Sequence, residues 1–159
     1  CIADTMAPRE TASLTTPIGI IRIDAQGDAL SAITIGGEPG ATSDNALLAR
    51  AADQLEAYFA GELQQFDVPL LPPQTPRGLV LRKAIVGIGY GNVTSYGAIA
   101  GRIASSPRAI GQACARNPIP IIVPCHRVLG ANHVLGAYSA GNGPSTKIWL
   151  LNHEKGLLL

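Results

Sequence analysis

The segment NPIPIIVPCHRV, residues 117–128, sets a cysteine and a histidine side by side behind three prolines. Pro118, Pro120 and Pro124 each fix one backbone dihedral and restrict the residue before them, so Cys125 is presented from a stiff support. A thiol attacks as the thiolate, and a neighbouring base or hydrogen-bond donor promotes that state. His126 is the adjacent base. Glu154 is the only acid among residues 76–159, and a carboxylate isolated among cations is expected to hold a specific partner. The three could form a relay in which Glu154 orients the imidazole and His126 draws off the Cys125 proton, directly or through water. A cysteine is equally an ordinary small apolar residue of a core, and spacing alone leaves both roles open.

The elements that must position these groups follow from pattern. Residues 15–24 (TTPIGIIRID) and 29–35 (ALSAITI) are rich in β-branched residues and flank the turn former Ala25-Gln26-Gly27-Asp28, which predicts a β-hairpin. Leu48, Ala51, Ala52, Leu55 and Phe59 recur at helical spacing and predict an amphipathic helix ending near Gly61. The proline-rich stretch 67–76 (DVPLLPPQTP) reads as a connector. Thr75-Pro76 is an N-cap followed by proline at the first helical position, and opens a helix with the apolar face Leu81, Ala84, Ile85 and Ile88.

Thr94 or Ser95 then caps a short helix carrying Tyr96, Ile99, Ala100 and Ile103. Ser106-Pro107 opens another carrying Arg108, Ala109, Ile110, Ala113 and Cys114. Two short helices across a tight turn are the pattern of a helix-turn-helix, with Arg108 in the first turn of its second helix, where such motifs reach nucleic acid. That helix must end near Arg116, because Asn117-Pro118-Ile119-Pro120 cannot be helical. Ile121-Ile122-Val123 is a short buried run, residues 129–144 a loop rich in glycine and proline. The last helix is expected over about 145–155, apolar at Ile148, Trp149 and Leu151, with Gly156 as its stop.

The formal charge of +1 hides an asymmetry. Residues 1–75 carry three arginines against ten acids, a net −7, and residues 76–159 carry nine cations against one acid, a net +8. Two domains are expected, 1–74 and 75–159, and only the second suits a polyanion. Hydrophobic residues at 47% against 14% charged predict a folded chain, and no apolar run approaches the roughly 18 residues of a membrane span. Cys1-Ile2-Ala3-Asp4-Thr5-Met6 lacks the basic-then-apolar order of a signal peptide. Cys1, Cys114 and Cys125 are too few for a disulfide framework and fit free thiols in the cytoplasm. No CxxC or HxxxH spacing occurs, so neither metal nor other cofactor is expected.

NPIPIIV followed by PCHRV closely resembles the active-site motif of the O6-alkylguanine-DNA alkyltransferases, or methylated-DNA–protein-cysteine methyltransferases. The likeness extends through DQLEAYFAGELQQFDVPL at 53–70, YGNVTSYGAIAGRI at 90–103, Ala109-Ile-Gly-Gln-Ala113 and WLLNHEKGLLL at 149–159. It implies a small ribonuclease-H-like domain of β-sheet plus helix, followed by a mostly helical winged helix-turn-helix domain, an α/β (α+β) protein. It implies a monomer that repairs double-stranded DNA carrying O6-alkylguanine by irreversible, single-turnover transfer of the alkyl group to its own cysteine, with base flipping. O4 of thymine is a second candidate substrate atom.

By this resemblance Cys125 is the acceptor, His126 and Glu154 activate it through water, and Asn117 orders the region. Tyr96 matches the tyrosine that serves the departing guanine, and Arg108 the arginine that fills the vacated stack, with Arg102 and Arg116 as alternatives and Arg127 a further DNA contact. Cys114, Val128, Tyr138 and Ser139 fall at positions around the flipped base. The chain also departs from the family pattern. Arg77-Gly78 stands where Phe-Gln usually follows Thr-Pro, and Arg82 where an aromatic is common. The stretch between Tyr96 and Arg108 is two residues shorter than usual, and Ala140-Gly141-Asn142-Gly143-Pro144 makes a longer pocket loop. Three other classes remain to be separated by experiment: a cysteine hydrolase, a non-reactive lesion binder and a helix-turn-helix regulator.

Overall fold

Three antiparallel strands open the computed structural model, which describes residues 9–40, 42–136 and 138–154. They are β1 (Arg9–Thr16), β2 (Gly19–Gln26) and β3 (Ala29–Ile35), in the order β1-β2-β3. The β2–β3 hairpin turns at Gly27, whose φ of +63° needs no side chain. The sequence-predicted first strand, 15–24, is instead divided by a turn at Pro17-Ile18: Thr15 and Thr16 close β1, where Thr16 pairs with Gly19 of β2. The edge strand β1 has one fully buried apolar residue, Ala12, so its apolar signal was weak.

The chain divides between Leu71 and Pro72 into two compact units. In the first, Asn45 caps α1 (Ala46–Phe59) by accepting from the N–H groups of Leu47 and Leu48. Leu48, Ala51, Leu55 and Tyr58 of α1 are buried with Ile21, Ile23, Leu30 and Ile33 of the sheet. Each large side chain so buried contributes about 1.5–3 kcal/mol relative to exposure. The start of the connector adds a parallel bridge to β3, with Leu30 N–H donating to Pro69 and Leu71 N–H to Leu30.

In the second unit Thr75 caps α2 (Pro76–Val86), Ser95 caps α3 (Tyr96–Arg102) and Ser106 caps α4 (Pro107–Ala115), each hydroxyl accepting a backbone N–H three residues on. The turn 103–106 joins α3 to α4. Short strands β4 (Thr94–Ser95) and β5 (Val128–Leu129) pair in parallel, which ties the entrance of α3 to the chain just beyond Cys125. Cys125–Arg127 forms a single 3-10 turn, and α5 (Pro144–His153) ends on Glu154 as its C-cap. Cys1 and Gly156 lie outside the described residues.

The apolar face expected of α5 is rotated in the structure. Ile148 and Trp149 are half-exposed, Trp149 stacking on His153 with ring centroids 4.9 Å apart. Lys147, Leu150, Leu151 and Glu154 form the buried stripe instead. Pairing of Glu154 inside the unit turns that face inward.

Candidate active site

The loop 117–125 is laced by one amide. Asn117 Nδ2 donates to the Val123 carbonyl at 2.9 Å and to Cys125 Sγ at 3.1 Å, while its Oδ1 accepts from Ile119 N–H at 3.0 Å. The loop passes through a left-handed conformation at Ile121, φ +75°, which a β-branched residue rarely adopts. The prolines and the Asn117 amide over-determine the path, so Cys125 stands fixed and 3% exposed.

His126 is fully buried. Its Nε2 donates to Glu154 Oε2 at 2.8 Å. Glu154 also receives Arg127 Nε on Oε1 at 2.8 Å and Arg127 Nη2 on Oε2 at 3.1 Å, and Arg127 Nη1 donates to the Ile88 carbonyl at 2.6 Å. A carboxylate paired with a guanidinium only accepts, so the imidazole proton sits on Nε2. That leaves Nδ1 as the lone-pair nitrogen, and it makes no hydrogen bond among the described residues. Burial holds the His126 pKa below its ordinary value against the opposing pull of Glu154, so the ring is neutral and able to take a proton.

Burial pushes the Cys125 thiol up, and the Asn117 amide, the Lys147 charge and a backbone N–H oppose it. The resting group is therefore a thiol, made a thiolate when a base accepts its proton. Lys147 is fully buried, with Nζ donating to the Val128 carbonyl at 2.8 Å and lying 5.8 Å from the centre of the Tyr96 ring. Burial lowers its pKa while the two thiols raise it. Cys114 is pushed up to about 12, first by burial and then by Cys125, and so stays a packed thiol. Tyr96 is raised by burial and then by the two thiols, which keeps its hydroxyl a donor. The arrangement assembles a confined thiol, a neutral base, a buried cation and a phenol that keeps its proton to donate in a hydrogen bond.

A sequence profile described as "6-O-methylguanine DNA methyltransferase, DNA binding domain" matches residues 80–156, and one described as the ribonuclease-like domain of the same protein matches residues 12–72. The methylated-DNA–protein-cysteine methyltransferase of Mycobacterium bovis is 41% identical over 151 residues, 90% of each chain. The chain belongs to the methylated-DNA–protein-cysteine methyltransferase family.

The constitutive family member of Bacillus subtilis is 46% identical over 110 residues, 68% of this chain and 66% of that one. The crystal structure of Mycobacterium tuberculosis OGT in complex with DNA superposes with a TM-score of 0.81 at 40% identity, covering 91% of this chain and 92% of that one. The activity of this methyltransferase is DNA repair by alkyl transfer to a protein cysteine.

Within the methyltransferase fold the structure hydrogen-bonds Asn117 to Cys125 and, as a separate set, His126 and Arg127 to Glu154, the two sets meeting in the chain at Cys125-His126. Arg102, Arg108 and Arg116 are exposed. Arg127, expected to contact DNA, does not face solvent: it is 5% exposed and spent on Glu154 and Ile88. A buried carboxylate needs a compensating charge, and Arg127 is the cation that supplies it. Val128 is fully buried and Tyr138 nearly so, while Ser139 is exposed with its hydroxyl donating to Ala115 at 2.9 Å. Residue type alone did not single out Lys147. Its signal was the spacing of Lys147, Leu150, Leu151 and Glu154 at i, i+3, i+4 and i+7, one stripe of α5 that a charged residue opens.

Proposed function

We propose that Cys125 accepts an alkyl group from O6 of guanine in double-stranded DNA. The observation that carries this is the Asn117 N–H held 3.1 Å from Cys125 Sγ beside a neutral His126 whose Nδ1 is the remaining acceptor. His126 Nδ1 takes the thiol proton, directly or through water, and the Glu154 carboxylate, which Arg127 holds in place, compensates the imidazolium. The sulfur attacks the alkyl carbon, an S–C bond forms as the C–O6 bond breaks, and the electron pair stays on guanine. Tyr96 donates a proton or hydrogen bond to that base as its charge grows. Lys147, buried beside the thiols, favours the anionic sulfur. The product is a stable thioether, so each molecule acts once.

A thiol this confined cannot reach a stacked base, so the guanine must be rotated out of the duplex. Arg108, exposed in the first turn of α4, suits the vacated space, and Cys114, Val128, Tyr138 and Ser139 suit the pocket that receives the base. The basic balance of residues 76–159 supports phosphate contact by this part of the chain. Intact-protein mass spectrometry after incubation with an O6-methylguanine duplex should show one methyl group per molecule, mapped to Cys125 and absent from Cys125→Ser. Turnover without a retained methyl group, or a methyl group on Cys114, would overturn the proposal.

A further inference from the structure

Two neighbouring features of the second unit meet at one hydrogen bond. Arg77 lies in the first turn of α2, and only eleven residues separate Tyr96 from Arg108. Arg77 Nη2 donates to the Ala104 carbonyl at 3.1 Å, from the first turn of α2 to the turn between α3 and α4. Gly78 sets that first turn: Thr75 Oγ1 accepts its N–H at 2.9 Å, and an added Cβ would fall 2.9 Å from Pro73 Cβ. The glycine lets the connector close down on the start of α2, which fixes the base of the Arg77 side chain.

The other end of the bond is a conformation that needs holding. Ala104 has φ +53°, in the left-handed region, and α3 ends around it with Ser105 N–H donating to the Ala100 carbonyl at 2.9 Å. Helix ends of this kind usually place glycine there, because a Cβ crowds the backbone. Two residues later Ser106 caps α4 at 3.1 Å, with Arg108 in the turn that follows. In so short a connection, the carbonyl direction at Ala104 passes with little slack to the start of α4.

We infer that Arg77 is a positioning residue: it holds the Ala104 carbonyl in the left-handed turn and thereby sets the start of α4, and with it Arg108, for duplex DNA. The inference rests on the proposed function for its substrate. The test compares the unsubstituted protein with Arg77→Ala, Ala104→Gly and the double variant. Transfer is timed from an O6-methylguanine duplex and from free O6-benzylguanine, and duplex affinity is titrated against salt.

Arg77→Ala should slow duplex transfer about three- to ten-fold and leave free-base transfer unchanged. Because glycine adopts the left-handed turn unaided, the double variant should recover to within about two-fold of the unsubstituted protein. Ala104→Gly alone removes the need for the clamp rather than the clamp, and should transfer normally. Absence of rescue, with the salt slope reduced by about one unit, would make Arg77 a phosphate contact and overturn the inference. So would an Arg77→Ala protein that repairs duplex at full rate, or one slowed equally on the free base. Failure of the unsubstituted protein to take up a methyl group from the duplex would sink the proposed function instead, and the duplex affinities of the same four proteins would still decide the clamp.

Discussion

Glu154 is bound to His126 at one oxygen and to Arg127 through both, so a single carboxylate fixes the imidazole tautomer and neutralises a buried guanidinium. Glu154→Gln keeps the shape and removes the charge. Transfer should slow by about 10²- to 10⁴-fold, as when the orienting carboxylate of a triad is neutralised, and equally on duplex and free base. Arg127 would be left buried without its counter-charge, at a cost of about 3 kcal/mol. Stopped-flow transfer and urea unfolding measure the two effects, and a variant slowed only on duplex would remove Glu154 from the chemical step.

The pH dependence follows from the depressed His126 pKa. The unfolded chain takes this proton near the ordinary 6.5 and the folded protein only at lower pH. Stability from this group is therefore complete above 6.5 and is lost as pH falls from 6.5 to the folded value. His126→Gln should flatten that part of the unfolding profile. Transfer should hold its rate down to about pH 6.5 and decline below it, as Nδ1 fills. A decline centred above 6.5 would mean a base with a raised pKa, contrary to the burial of this ring.

Gly136 and Tyr96 are in contact across the site. A Cβ on Gly136 would lie 2.8 Å from the Tyr96 hydroxyl oxygen, and φ +73° strains any side chain there. Gly136→Ala should displace that hydroxyl and slow transfer by about ten-fold, the loss of one hydrogen bond to developing charge. Tyr96→Phe should do the same, and the double variant should be little worse than either. Additive losses in that cycle would show that Gly136 acts elsewhere.

Arg108→Ala should slow repair strongly in a fully paired duplex, less in a mismatch and hardly at all with free O6-benzylguanine. Flipping costs a few kcal/mol from a stacked pair and nothing for a free base. Loss of a phosphate contact would weaken all duplexes about evenly and lower the salt dependence. Equal slowing on duplex and free base would exclude the flipping role, leaving Arg102 and Arg116 as the exposed alternatives.

Local rules carried the helices well. The caps Thr75, Ser95 and Ser106 are short-range signals that the structure uses, and α1 buries Leu48, Ala51 and Leu55 as its period expects, with Tyr58 buried in place of Phe59. What failed was decided at long range. Arg127 reads as a surface cation until Glu154, distant in the chain, folds against it, and Lys147 is inside because α5 turns the Glu154 face inward. The division at Pro17-Ile18 was hidden because polar edge-strand residues and turn residues look alike in composition. Cys125 was legible for the opposite reason: its support is a contiguous proline-rich loop whose restraint is written in adjacent residues.

Glu154 caps the last helix described, and the ribosome makes it well after Cys125. A growing chain therefore carries Cys125 before it carries the carboxylate that holds the imidazole beside it. During synthesis the thiol is an ordinary exposed one, open to stray electrophiles, and the fold later shields it by burial. His126 gains its partner only when α5 has emerged and docked, so the surroundings of Cys125 close at about the moment the second unit becomes able to fold.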